Sequence, residues 1–364
     1  MLPNFNIRKI LIAPLDWGLG HATRCIPIIR ALIANGYEVI AAAEGAQAHL
    51  LQTEFPSLQI LPLAGYRVRY SRSKWGLAFT LLAQLPRLRK IIKEEHQWLD
   101  KVIDEHHIDL VISDNRYGLS SQKVPCIFIT HQLTIKAPFA WIESVLQRVN
   151  YSYINKYSSC WVPDVSGELN AAGVLSHPAI LPRIKVHYIG LLARFQLKPA
   201  EKKYDYCILL SGPEPQRTLL ENTLLESLSR TEGTILLVRG KPGSKEIPDT
   251  APHIEIKNHL PGSELGQALL QSEYIISRSG YTTVMELLSL QKKSILIPTP
   301  GQTEQEYLAK KLQADQTCIC VEQRELDCAA DLLKAKTFVY AFPKLDRFNE
   351  EGVDELLRRS VGES

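Results

Sequence analysis

Two stretches of this chain hold residues whose types and spacing could do chemistry. The first is a polar turn, Ser277-Arg278-Ser279-Gly280, set between an apolar run at 274–276 and a helical pattern in which Val284, Met285, Leu287, Leu288 and Leu290 fall mostly on one face. Thr282 and Thr283 are expected to cap that helix. A second apolar run at 294–298 leads into a polar loop and a further helix, which makes a strand–helix–strand unit. Backbone N–H groups and a helix dipole at such a turn suit a phosphate. Glu286, just past the first turn, would repel that phosphate unless it had another task. Accepting hydrogen bonds from a ribose diol is that task in dinucleotide folds; the plainer reading is an ordinary strand–helix unit with a surface Glu.

The second stretch is Gly18-Leu19-Gly20-His21, between the apolar run 10–14 and a helical pattern that ends at Asn35-Gly36. It lacks the third glycine of the dinucleotide fingerprint. A His at this place lies at the carboxyl end of a parallel sheet, where open α/β folds bind ligands, and near neutral pH it is the natural base. Its competing role is to cap its own helix. Two more polar turns fall at strand ends and are expected on the same side, Asp114-Asn115-Arg116 after 109–113 and His131-Gln132 after 125–130.

The elements that must position these residues alternate. Apolar runs at 10–14, 38–43, 58–63, 109–113, 125–130, 160–162 and 186–189 fill the first half, with helical patterns between them. Runs at 206–210, 234–238, 253–256, 274–276, 294–298 and 318–321 fill the second. This is the pattern of two parallel-sheet α/β domains. The expected division is 1–190, a linker at 191–203, a second domain at 204–345 and a C-terminal helix at 346–364 packing back on the first. A cleft between two such domains is a favoured ligand site.

Composition narrows the class. With 364 residues the chain exceeds the usual size of one core. A net charge of +3 gives no argument for nucleic acid, and seven scattered Cys fit reduced thiols in a cytoplasmic protein. Residues 1–9 lack the apolar core of a signal peptide, and no run is long enough to span a bilayer. Residues 66–93 stand out, with eight Lys and Arg, no Asp or Glu, and Trp75, Phe79 and several Leu. That mixture suits an anionic membrane surface at the inner face of the membrane, or else a long core helix with a solvated basic face.

With these turns identified, the chain resembles the family 28 glycosyltransferases of GT-B fold, the family of the peptidoglycan N-acetylglucosaminyltransferase. Gly18-Leu19-Gly20-His21 is similar to that family's Gly-rich loop, although it lacks the paired Gly-Gly before the His. His131-Gln132 resembles its His-Glu-Gln loop without the Glu. Ser211-Gly212 resembles the turn that opens the donor domain, Ser279-Gly280 with Glu286 the donor signature, and Gln302, Glu304 and Gln305 the loop on the donor sugar.

The resemblance implies glycosyl transfer from a nucleotide sugar, a UDP-sugar such as UDP-N-acetylglucosamine, to a hydroxyl of a glycan or a glycolipid. His259 and Leu260 would hold the base through backbone groups and Glu286 the ribose. Ser211, Gly212, Ser279 and Gly280 would cradle the diphosphate, with Arg194 as a further candidate. Gly18, Gly20, Asp114, His131 and Gln132 would form the acceptor side, with His21 as the base. No Asp-x-Asp pair stands where a metal would serve the diphosphate, so no metal and no cofactor are expected. Ala22-Thr23-Arg24-Cys25 also resembles nucleotide-sugar hydrolases of the same fold. Hydrolysis, epimerisation and non-catalytic nucleotide-sugar binding therefore stand beside transfer.

Overall fold

The computed structural model describes residues 7–66, 74–137 and 139–362, with side chains for all of these except 74–86 and position 140. The chain divides into two compact units, 1–192 with 346–364, and 193–345.

The first unit is built on a parallel sheet of seven strands, β1 (Lys9–Pro14), β2 (Glu38–Ala42), β3 (Gln59–Leu61), β4 (Leu110–Asp114), β5 (Cys126–Ile129), β6 (Ser159–Val162) and β7 (Lys185–Tyr188), in the order β3-β2-β1-β4-β5-β6-β7. Strands covered on both faces read as unbroken apolar runs; the Ile10, Leu11, Ile12, Val111 and Ile112 side chains are fully buried. Helices α1 (Leu19–Ala34), α2 (Gly45–Glu54), α3 (Lys74–His106) and α4 (Ala140–Ile154) follow β1, β2, β3 and β5. The strand order reverses between β1 and β4, whose register pairs Pro14 with Asp114. A reversal point opens a crevice beyond the strand carboxyl ends, and His21 and Asp114 both belong to that place.

Helix α3 is locked to this unit by a buried ionic group. Arg116 donates through Nε to Glu95 Oε1 at 2.6 Å, and Tyr66 donates its hydroxyl to Glu95 Oε2 at 2.6 Å. Tyr66, at the head of the basic stretch, is therefore a core residue. Residues 67–73 lie outside the described residues, as do the side chains of Trp75, Phe79 and Leu82. Arg87, Arg89, Lys90 and Lys93 are exposed, with Leu88, Ile91 and Ile92 half-buried beneath them. Among the described residues no helix is long and apolar enough to cross a membrane.

The second unit repeats the plan with six parallel strands, β8 (Tyr204–Leu209), β9 (Ile235–Val238), β10 (Ile254–Lys257), β11 (Ser272–Ser277), β12 (Lys293–Leu296) and β13 (Ile319–Cys320), in the order β10-β9-β8-β11-β12-β13. Helices α5 (Gln216–Leu228), α6 (Gly262–Leu270), α7 (Tyr281–Ser289), α8 (Thr303–Ala314) and α9 (Cys328–Thr337) cover it. Here the order reverses between β8 and β11, so the 211–212 and 278–280 turns leave the sheet side by side.

The last helix, α10 (Val353–Val361), belongs to the first unit. Trp161 Nε1 donates to Ser360 Oγ at 2.7 Å. The returning chain pairs with the departing one, Leu191 N to Asp346 O at 2.9 Å and Phe348 N to Leu191 O at 3.1 Å. Gly190 makes this crossing feasible. Its φ is +81°, and a Cβ there would stand 2.6 Å from the Arg347 carbonyl carbon. All seven cysteines are unbridged.

Candidate active site

In the first unit, Gly18 at φ 75° and ψ −174° turns the chain from β1 into α1, a conformation that side chains other than glycine's rarely adopt. Gly20 and His21 follow within the first turn of α1. His21 retains 14% side-chain exposure, while Asp114 has none. The His21 Nδ1 lies 3.1 Å from Asp114 Oδ2. Arg24, one turn further along α1 and 2% exposed, donates through Nε to the same Oδ2 at 2.8 Å and through Nη2 to Oδ1. Its Nη1 stands 3.0 Å from His131 Nδ1. His21, Asp114 and His131 are thus gathered by one guanidinium that the sequence reading gave no role. The Gln132 backbone is tied locally: its N–H donates to Thr130 Oγ1 and its main-chain carbonyl accepts from the Asn150 amide.

Burial pushes the Asp114 carboxyl up, but Arg24 and His21 outweigh burial and hold it at about 2. Burial lowers the His21 ring below its ordinary value, Arg24 lowers it further, and Asp114 works in the opposite direction. An ionised carboxylate only accepts hydrogen bonds, so the proton between them belongs to Nδ1 of His21. The lone pair of that ring is then on Nε2. The arrangement is a neutral imidazole oriented by a buried carboxylate, suited to taking a proton from a hydroxyl.

In the second unit, α7 begins at Tyr281 with Gly280 as its cap residue and with no side-chain capping bond. Thr282 and Thr283 therefore sit inside the helix and are not its caps; the turn ends one residue earlier than the Thr pair suggested. Ser279 is fully buried and donates its hydroxyl to the Gln305 carbonyl at 2.8 Å. Gln305 Oε1 accepts from Thr299 N at 2.9 Å, and Gln305 Nε2 donates to Gln302 Oε1 at 2.5 Å. Ser279, Gln302 and Gln305 are thus one bonded group, with Glu304 beside them in the first turn of α8. Ser211 and Gly212 are exposed, and Gly212 at φ +103° faces Thr299, whose buried Oγ1 has no hydrogen-bond partner.

Arg278 lies under this turn, 1% exposed. It donates to the carbonyls of Ile297, Pro298 and Gln216 and to Gln323 Oε1, all neutral acceptors, and burial draws its pKa down to about 10. Thr299 and Arg278 are the residues of this cluster that the sequence reading missed. The signal for Arg278 was present, since it is a charged residue in a turn between a buried strand and an apolar helix.

Glu286, expected at the ribose, does not fit the plainer alternative of a surface carboxylate. It is 4% exposed, and Arg194 donates to both its oxygens, Nε to Oε1 at 2.6 Å and Nη2 to Oε2 at 3.3 Å. Arg194 was expected at the diphosphate; here its guanidinium is on Glu286. His259 is exposed and Leu260 buried in the loop after β10, beside Asn258, which Arg239 holds through its amide oxygen at 2.8 Å. Among the described residues no group of three or more His, Cys, Asp or Glu could hold a metal ion.

Comparison with known proteins bears on this geometry. Residues 249–345 match the Glycosyltransferase family 28 C-terminal domain. An uncharacterized glycosyltransferase of Methanosarcina mazei is 30% identical over 335 residues, 84% of each chain. The UDP-N-acetylglucosamine--N-acetylmuramyl-(pentapeptide) pyrophosphoryl-undecaprenol N-acetylglucosamine transferase of Listeria monocytogenes is 21% identical over 324 residues, again 84% of each. Among solved structures, the Streptomyces sp. SF2575 glycosyltransferase SsfS6, complexed with thymidine diphosphate, aligns with a TM-score of 0.61 at 14% identity, covering 97% of this chain and 99% of that one. The structural likeness supports the two-sheet GT-B fold, and the sequence relatives favour transfer over hydrolysis or epimerisation.

Proposed function

The chain belongs to the family 28 glycosyltransferases, and from that premise we propose that it transfers a sugar from a UDP-linked donor to an acceptor hydroxyl, with His21 as the base. The observation that carries this reading is the His21–Asp114 pair at the reversal point of the first sheet. Asp114 fixes the ring through Nδ1, so Nε2 takes the proton of the attacking hydroxyl as its oxygen bonds to the anomeric carbon. The nucleoside diphosphate leaves with the electron pair of the broken bond.

The second unit holds the donor. Ser211, Gly212, Ser279, Gly280 and the N-terminus of α7 receive the diphosphate, with the Arg278 charge beneath them and the Thr299 hydroxyl beside Gly212. Donors aimed at the developing charge stabilise the leaving group. Glu286, held in place by the two-pronged bond from Arg194, takes the ribose hydroxyls. The backbone at His259 and Leu260 takes the base, and Gln302, Glu304 and Gln305 read the sugar. A ribose diol favours UDP over a deoxynucleotide, in agreement with the UDP-N-acetylglucosamine donor named for the Listeria relative.

That name also motivates a lipid-linked acceptor. Two features suit an anionic bilayer: the exposed Trp141, Val145 and Val149, spaced four residues apart on α4, and the basic composition of 66–93.

The test is release of UDP from UDP-sugars with and without glycan or glycolipid acceptors. Acceptor-dependent release that falls roughly 10²–10⁴-fold in His21→Ala, with donor affinity unchanged, is the expected result. Release that is equal without acceptor would make the protein a hydrolase. Loss of donor binding in His21→Ala would move His21 from base to binding residue.

A further inference from the structure

We infer that Arg24 is a positioning residue for the transfer reaction, one that fixes opposite tautomers on two histidines by joining Asp114 and His131 in a single array. The inference rests on the reading of His21 as the base. It concerns a residue three places past His21, on the same face of α1, whose side chain is closed to solvent and cannot itself reach a substrate in bulk water.

The argument is one of donors and acceptors. A guanidinium has five N–H donors and no acceptor. Arg24 spends Nε and Nη2 on the two oxygens of Asp114, in the two-pronged geometry that Arg makes with carboxylates. The carboxylate is thereby held in one plane, with Oδ2 turned to His21 at 3.1 Å. His21 must donate to it through Nδ1, so its Nε2 is an acceptor. The remaining arm, Nη1, meets His131 Nδ1 at 3.0 Å. Two donors cannot share that position, so His131 Nδ1 is the acceptor and its ring proton is on Nε2. One histidine is then a base at Nε2 and the other a hydrogen-bond donor at Nε2. A buried Asp–His pair without the Arg would fix only the first of these.

The charge of Arg24 acts in the same direction. Alone with a buried carboxylate, His21 would be drawn towards the imidazolium form, which cannot accept a proton. Arg24 offsets the Asp114 charge at the oxygen His21 touches. The groups that face His21 are Arg24 on α1, Asp114 from β4 and His131 from the loop after β5, with the Cys25 thiol also directed at Asp114 Oδ2 at 3.7 Å. Of the nearby acids, Asp16 accepts from the Tyr66 N–H at 2.8 Å and Glu44 from the Gly65 N–H at 2.8 Å.

The experiment reads tautomers directly. Long-range ¹⁵N–¹H correlation spectra of ¹⁵N-histidine-labelled full-length protein distinguish Nδ1–H from Nε2–H rings, and the two resonances are assigned by their loss in His21→Gln and His131→Gln. The wild-type protein near neutral pH should show His21 protonated at Nδ1 and His131 at Nε2. In Arg24→Gln the His131 tautomer should become mixed and the His21 titration should move to higher pH. Turnover should then fall more at about pH 6 than at about pH 8, by on the order of tenfold, with the donor KM unchanged. Arg24→Lys keeps the charge but not the fork, so it should restore the His21 titration and leave His131 mixed. It also serves if Arg24→Gln does not fold. A wild-type His131 ring protonated at Nδ1 or on both nitrogens overturns the inference, as does an Arg24→Lys spectrum identical to wild type. Full turnover in His21→Gln would instead remove the base reading and leave the array standing.

Discussion

Arg194 and Glu286 form a two-pronged ion pair within the second unit, with 9% and 5% of their side chains exposed. The carboxylate assigned to the ribose is therefore already oriented before a nucleotide arrives. Its partner lies 92 positions upstream, at the start of the unit.

Glu286→Gln should have two effects. UDP affinity measured by calorimetry should weaken by about 1–3 kcal/mol, the range for a hydrogen bond to a charged group. Thermal stability should fall as well, because the Arg194 guanidinium loses its counter-charge in a closed site. Unchanged UDP affinity would remove Glu286 from the nucleotide site even if the melting temperature fell.

Asp114 sets an acid dependence. Its folded pKa of about 2 lies below that of an unfolded Asp, so its contribution to stability is complete above the unfolded value. It is lost as pH falls through about 2. The shift corresponds to about 2–3 kcal/mol. Denaturant titrations from neutral pH downwards should show this loss in the wild-type protein and a smaller one in Asp114→Asn, which should already be less stable at neutral pH. Identical acid profiles would mean that Asp114 carries no such linkage.

The proposed diphosphate subsite should work without a divalent cation. The buried Arg278 charge among neutral acceptors and the α7 N-terminus place positive potential at the Ser279-Gly280 turn. UDP affinity should be the same with EDTA as with added Mg²⁺ or Mn²⁺. Strict dependence on either ion would overturn this account. Arg278→Gln should weaken UDP more than uridine, because uridine lacks the diphosphate.

Membrane docking should be electrostatic first. Eight Lys and Arg within 66–93, each worth on the order of 1 kcal/mol near an anionic surface, suffice for reversible binding that salt weakens. Co-sedimentation should favour anionic over neutral vesicles, and Trp141→Ser should reduce it further. Equal recovery with both vesicle types, or none with either, would point to a soluble acceptor.

The fold was legible in the sequence because a strand covered on both faces is written as an apolar run. Residues 10–14 and 109–113 announce themselves, and the turns that follow them hold the polar side chains. Partnership is written nowhere so locally. Arg24 sits among Cys25, Ile26 and Ile28 and reads as the body of a helix; its two partners are 90 and 107 positions away. Glu286 was singled out for the ribose, but a period of apolar residues cannot show that a distant Arg closes over it. Thr282 and Thr283 have the chemistry of caps, but Gly280 is the residue in extended backbone where the turn ends, and the helix starts before them.

The return of α10 to the first unit makes residues 193–345 an insertion within a sheet domain that the chain leaves and re-enters at neighbouring points, Leu191 beside Asp346. The order in which the two units are completed is then the reverse of the order in which they begin. The second unit has all its strands once residue 345 has emerged from the ribosome, while the first still waits for Ser360 to meet Trp161. A stop codon near the end of the gene would therefore damage the half of the protein that was made first.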